Sequence, residues 1–241
     1  MMVSNVTPHT PTPAAKPPRR RKHHWLRWLL VGIAALIVVV VAVVAAAVKL
    51  QATPAPLALP PAAAPPAGPL DGGWQVASGS TAGFRIQQTV IGLTSDVVGR
   101  SDDITGTATI AGGHVTAAGF RVNLLALTYG KKTSPQFNKS LDTIRYPDAT
   151  ITMARPVTLG RAFATGATTQ LTAPARLTLH GVTRTVSVSL SARRDAANVR
   201  ITGSIPITFA DWGIPRPKGY GWLGSLADHG TAEFLLTLHH S

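Results

Sequence analysis

From Leu29 to Val48 the chain runs twenty residues without a charge, LLVGIAALIVVVVAVVAAAV. A helix of that stretch, rising about 1.5 Å per residue, covers roughly 30 Å, the depth of a bilayer's hydrocarbon core. Twenty uncharged residues argue against a helix buried in a soluble core. The stretch therefore predicts a single transmembrane helix over residues 25–49. Trp25 and Trp28 stand at its start, where indoles favour the membrane interface. Arg19–Lys22 and Arg27 precede or open it, and only Lys49 follows closely. That bias predicts a single-pass plasma-membrane protein with a cytoplasmic N-terminus and an extracytoplasmic C-terminal domain. The competing reading is a cleaved signal peptide, with Ala45–Ala47 as the small-residue site. Its apolar region would normally be only about 7–15 residues. Both readings export the remainder of the chain.

Residues 1–24 hold Pro8, Pro11, Pro13, Pro17 and Pro18 among polar and basic residues and read as a disordered basic cytoplasmic tail. The formal net charge of +13 is divided by this tail. Seven Lys/Arg and no acid lie in residues 1–50, so the remainder carries +6 with no basic run. A mild bias of that kind argues against nucleic acid as a partner. The chain has no cysteine, which excludes disulfides, thiolate metal sites and a cysteine nucleophile. The linker, residues 50–70, is rich in proline and alanine: QATPAPLALPPAAAPPAGPL over 51–70. Such a sequence favours polyproline II at about 3.1 Å per residue, and is expected to act as a stiff spacer reaching up to ~60 Å.

Residues 71–241 form the globular domain, and its pattern is β throughout. In Thr183–Ala192, Val186, Val188 and Leu190 alternate with Thr185, Ser187, Ser189 and Ser191. Similar runs occur at 83–90, 104–110, 114–127, 149–154, 168–180, 198–209 and 231–240. Gly112-Gly113 and His180-Gly181 have hairpin-turn chemistry. Between strands, only 131–145 has helical spacing, with Phe137, Leu141 and Ile144 on one face, Thr133 or Ser134 as a cap and Pro135 in the first turn. The fold class expected is all-β: an extended antiparallel eight-stranded barrel with one short helix, preceded by the transmembrane helix. A barrel of eight strands fills itself with side chains or holds one small ligand.

Several segments carry a resemblance. They are Trp74-x-Val76, Ala82-Gly83-Phe84-Arg85-Ile86, Val98-Gly99-Arg100, Ile104-x-Gly106 and Tyr146-Pro147-x-Ala149-x-Ile151. Leu177–Arg184 (LTLHGVTR), Phe209-x-Asp211-Trp212-Gly213-Ile214 and Gly230-Thr231-x-Glu233-Phe234 continue the series. In order and spacing, over residues 74–238, the chain resembles the YceI-like family. The resemblance implies a lipocalin-like barrel of the bacterial envelope that binds polyisoprenoids, isoprenoid quinones or similar long-chain amphiphiles. The chain departs from the family around the short helix, where Ser134-Pro135-Gln136 stand in place of a charged Arg-Asp pair.

The candidate ligand-contacting residues are apolar: Phe84, Ile86, Phe120, Val122, Leu124, Phe137, Leu141, Met153, Leu177, Leu179, Phe209, Trp212, Trp222, Phe234 and Leu236. An ordinary packed core explains each of them equally well. Burial contributes about 0.8 kcal/mol per CH₂, so a prenyl chain needs no polar signature to bind. His180, Arg85 and Arg184 suit head-group contacts but equally suit turn and surface roles. Asp211 has no nucleophile or histidine at a catalytic spacing. Asp102-Asp103 and His239-His240 supply too few donors for a metal site. No catalytic signature, cofactor motif or metal motif emerges, so a non-enzymatic binding protein is expected. The rival expectation is an envelope interaction protein with a filled core that binds a protein or anionic cell-wall polymer. Oligomeric state has no signal in the sequence.

Overall fold

A computed structural model describes residues 24–50, 53–130, 132–219 and 221–241. The expected disordered tail, apart from His24, lies outside the described residues. The chain divides into two compact units, Met1–Ala47 and Val48–Ser241. Helix α1 spans His24–Leu50, with all but its last three residues in the first. Its described side chains, residues 28, 29, 31–43 and 46, are exposed. Among the described residues no helix is long and apolar enough to cross a membrane. A helix forms over the expected residues 25–49.

The second unit is a closed antiparallel barrel. Its strands are β1 (Gly72–Val76), β2 (Thr81–Val90), β3 (Leu93–Ser101), β4 (Ile104–Ala111) and β5 (His114–Asn123). They continue with β6 (Asp148–Met153), β7 (Thr169–Leu179), β8 (Val182–Asp195), β9 (Asn198–Thr208) and β10 (His229–His240). β1 and β2 together make one bent staff, and β3 and β4 another. β1 pairs with both β4 and β10, which closes an eight-staved ring. Closure satisfies the edges that an open sheet would expose.

The hairpin turns follow from backbone chemistry. His180 and Gly181, at φ 51° and 75°, connect Leu179 to its partner Val182. Gly112 and Gly113, at 57° and 75°, connect Ala111 to His114. Positive φ at both central residues fits the twist of a two-residue hairpin. The expected strands form, and β1 and β3 are additional.

The helical content differs from expectation. Helix α2 covers only Pro135–Ser140 and is capped by Leu141. Pro135 occupies the first turn, but Ser134 makes no side-chain capping bond. Asp142 turns left-handed at φ 46°, which ends the helical path before Ile144. Ile144 is consequently 91% exposed instead of completing an apolar face. A further helix, α3 (Gly160–Ala164), buries Phe163 at one end of the barrel.

The proline-rich segment is not a free spacer. From Pro54 to Leu70 it lies along the barrel's outer wall as a strap. Proline lacks an N–H, so the strap offers mainly carbonyls, and arginines supply the donors. Arg85 Nη2 donates to the Pro54 carbonyl at 2.7 Å, and Arg193 Nη2 to Pro60 at 2.7 Å. Arg194 Nη2 donates to Ala67 and Gly68 at 3.1 and 2.8 Å. Where the strap has free N–H groups, carboxylates meet them. Leu57 donates to Glu233 Oε2 at 3.0 Å, and Ala63 and Ala64 donate to Asp195 Oδ1 at 2.8 and 3.1 Å. Trp74 Nε1 closes the series on the Leu70 carbonyl at 3.0 Å.

The carboxylates are themselves held by cations. Glu233 lies 2.6 Å from Arg100 and 3.4 Å from Arg85. Asp195, buried, lies 2.9 Å from Arg200 and 3.9 Å from Arg193. Burial alone would raise the Asp195 carboxyl. The two strap amides and the charges of Arg200 and Arg193 outweigh it, and the net pKa is lowered.

Candidate ligand cavity

Alternation along the strands turns one face of every stave inward, and that face is apolar. Along β10, Ala232, Phe234, Leu236 and Leu238 point in, while Glu233 points out to its arginines. The inward faces do not fill the barrel. They enclose a cavity of about 1050 Å³, at the upper end of the roughly 300–1,000 Å³ typical of small-molecule sites.

Glycines in the wall let aromatic rings lie flat against it. A Cβ at Gly99 would stand 2.5 Å from the Phe84 ring and 3.1 Å from Phe137. A Cβ at Gly203 would stand 2.5 Å from Phe234. Phe84 also meets Phe137 edge-on, with ring centroids 4.8 Å apart. These contacts fix the rings to the wall and leave the lumen open.

The two ends differ. One is closed by a buried cluster containing Trp74, Ile110, Leu159, Phe163 and Leu238. The other is a mouth. Its rim includes Ser134, Gln136, Lys139 and Ser140 around α2, and Pro215–Lys218 after β9. Arg216, Lys218 and Lys139 are exposed there. The cavity is therefore an apolar sleeve with a polar, basic lip.

Thirteen of the fifteen candidate residues line this sleeve: Phe84, Ile86, Phe120, Val122, Leu124, Phe137, Leu141, Met153, Leu177, Leu179, Phe209, Phe234 and Leu236. Trp212 and Trp222 do not. Trp212 is buried behind the lining residues Phe209 and Ile214. Trp222 is 93% exposed on a loop, because the 215–230 segment folds outward and pairs Gly224–Leu226 with β2. Sequence reasoning missed Phe163 at the closed end. It also missed the small inward residues Ala173 and Ala175, which leave room in the lumen. Ala173 and Ala175 alternate with Thr172, Pro174 and Arg176, so period 2 was the available signal.

The polar candidates have structural partners. His180 Nδ1 lies 3.2 Å from the Trp212 carbonyl, and its ring packs on Tyr146 at 4.7 Å. Arg184 donates to the Asp211 carbonyl. Arg85 bonds to Asp96 at 2.9 Å and to the strap. Asp103 accepts from Asn123 at 2.7 Å.

A family model, YceI-like domain, matches residues 74–237. The chain belongs to the YceI-like family. Among solved structures, a polyisoprenoid binding domain from Saccharophagus degradans implicated in plant cell wall breakdown is 19% identical. The match covers 71% of this chain and 99% of that one, with a TM-score of 0.53. At that identity the likeness shows the fold. Burkholderia cenocepacia BcnA (15% identical, 64% and 95% covered, TM-score 0.48) is also similar. So is a Campylobacter jejuni YCEI protein (14%, 61% and 86%, 0.47). No curated protein matches.

Proposed function

We propose that this YceI-like protein binds a long-chain amphiphile, a polyisoprenoid, isoprenoid quinone or similar lipid, with the apolar chain inside the barrel. The observation that carries this reading is the open apolar sleeve of about 1050 Å³. At about 0.8 kcal/mol per buried CH₂, several isoprene units outweigh any single head-group hydrogen bond. The Saccharophagus degradans domain, named for polyisoprenoid binding, supports the same reading. The rival expectation of a filled core does not agree with the sleeve. On the same reading the protein sits outside the cytoplasm, tethered to the plasma membrane through the α1 region. Twenty uncharged residues after a basic cluster support that tether.

The test is extraction. The full chain, purified from a membrane-bearing host, is expected to release a long-chain lipid into organic solvent, detectable by mass spectrometry. The stripped protein is expected to take up a quinone or polyprenyl phosphate. A protein that is empty and also refuses both would overturn the reading.

A further inference from the structure

Six large apolar side chains of the barrel unit are exposed: Ile91, Leu125, Tyr129, Ile144, Trp222 and Leu223. All six lie in connections at the mouth end, β2–β3, β5–β6 and β9–β10. Among the described residues, the connections at the closed end expose no large apolar side chain. Scattered exposed apolar residues are ordinary, but their confinement to one end is informative.

Ile91 adds an independent argument. It forms the two-residue turn with Gly92 and sits at φ 49°. A β-branched residue is disfavoured there, and Asn, Asp or Gly would serve the turn better. Strain of this kind persists where another demand requires the side chain. The Ile91 N–H donates to the Leu223 carbonyl at 2.8 Å, so the hairpin tip and the Trp222 loop make one ledge.

The same connections expose Lys132, Lys139, Arg145, Arg216 and Lys218, against exposed Asp211 and Asp228 and half-buried Asp142. None of these five bases lies within ion-pair distance of a carboxylate among the described residues, although Arg216 helps lower the Asp228 pKa and Arg145 lies over the Tyr146 ring. The strap begins on the mouth side as well. Pro54 is held by Arg85, which pairs with Thr231 three residues into β10.

We propose that the mouth end of the barrel is a docking surface for an anionic bilayer. Trp222, Leu223, Ile91 and Ile144 enter the interfacial layer, and the basic residues meet the head groups. Exposed indole and aliphatic side chains ringed by Lys and Arg have the chemistry of interfacial anchors. Docking in this pose opens the sleeve onto lipid, so an apolar chain moves between bilayer and lumen without crossing water. The inference goes beyond ligand binding: docking needs no occupied lumen, and an occupied lumen needs no docking.

The absence of native cysteine permits single-site labelling of the full chain. An environment-sensitive fluorophore is placed on I144C at the mouth or, as the control, on R161C in exposed closed-end helix α3. Each protein is mixed with phosphatidylcholine vesicles, with and without phosphatidylglycerol, carrying brominated acyl chains as quenchers. The Ile144 label is expected to be quenched several-fold more than the Arg161 label. The added K139E, R216E and K218E substitutions are expected to lower anionic-vesicle partitioning of the mouth on the order of a hundredfold. Equal quenching of the two labels, or none at the mouth, overturns the docking proposal. Lipid extraction from the same samples judges the ligand reading separately.

Discussion

Asp195→Ala is expected to be among the most damaging single substitutions in the domain, although Asp195 is far from the lumen's centre. Its Oδ1 receives the Ala63 and Ala64 amides at 2.8 and 3.1 Å, and its Oδ2 stands 2.9 Å from Arg200 Nε. That Arg200 contact is close but not aligned as a hydrogen bond. Removing the carboxylate orphans two strap amides and leaves Arg193 and Arg200 without their counter-charge. Loss of one partner of a buried pair costs about 3–5 kcal/mol. With a urea m-value of ~2 kcal/mol/M, a loss of ~4 kcal/mol moves the unfolding midpoint by ~2 M. Equilibrium urea unfolding followed by circular dichroism reads this directly. The acid limb supplies a second check. Because the folded-state pKa is lowered, the stabilisation is present above the ordinary carboxylate value and is lost as pH falls through the folded one. The stability gap between the native chain and Asp195→Asn should therefore narrow on acidification below about pH 4. A midpoint shift under ~0.5 M for Asp195→Ala, which at the same slope is only ~1 kcal/mol, would refute the idea that the strap is held by this carboxylate.

Three further substitutions probe the lumen. Ala175→Trp places an indole in the sleeve, where open space receives it. The variant should keep its far-ultraviolet circular dichroism and lose lipid uptake in a challenge titration. Phe163→Ala removes a buried ring from the closed end, and should cost about 3–5 kcal/mol in urea unfolding. Gly99→Val drives a side chain into Phe84 and Phe137. It should detach α2 from the wall, seen as faster amide exchange at 135–141 than in the native chain.

The β architecture was legible because period 2 in segments such as Thr183–Ala192 has one physical reading, and Gly-bearing pairs marked the turns. Strand β3 was not legible. Its sequence, LTSDVVGRS, sets Val97 toward the lumen and Val98 to the outside, where it is nonetheless buried. Two adjacent valines obscure alternation when both faces are covered. The strap was missed for a related reason. Proline and alanine describe a conformation, polyproline II, but not whether anything binds it. The signal lay elsewhere, in Arg193-Arg194-Asp195 at the end of a strand, a donor and acceptor set too dense for a solvated edge. Thirteen of the lining residues were legible as large apolar side chains of the strands and the short helix. The hollow was not, because the decision between filled and open rests on small partners such as Ala173, Ala175, Gly99 and Gly203. Ile144 illustrates the limit of helical spacing: Asp142 breaks the helix, and the i+7 position becomes a surface residue.

An open lumen also changes where stability comes from. Its lining lacks the dispersion partners that a packed core provides. The fold must rest on its closed ladder, on the Trp74–Phe163 cluster at one end and on the strapped outer wall. A ligand that fills the sleeve restores those missing contacts only in the folded state, so it must stabilise the fold. At a free concentration one hundred times its Kd, the gain is ~2.7 kcal/mol. For a domain of this size, about 2–4 °C per kcal/mol makes the expected rise in Tm ~5–10 °C. The rise should grow with ligand concentration and be absent in Ala175→Trp. Differential scanning calorimetry of lipid-stripped protein against a quinone or polyprenyl phosphate series gives the comparison. A bound lipid, verified by extraction, that raised the Tm of Ala175→Trp as much as that of the native chain would sit outside the sleeve, and the assignment of the lumen as its site would fail.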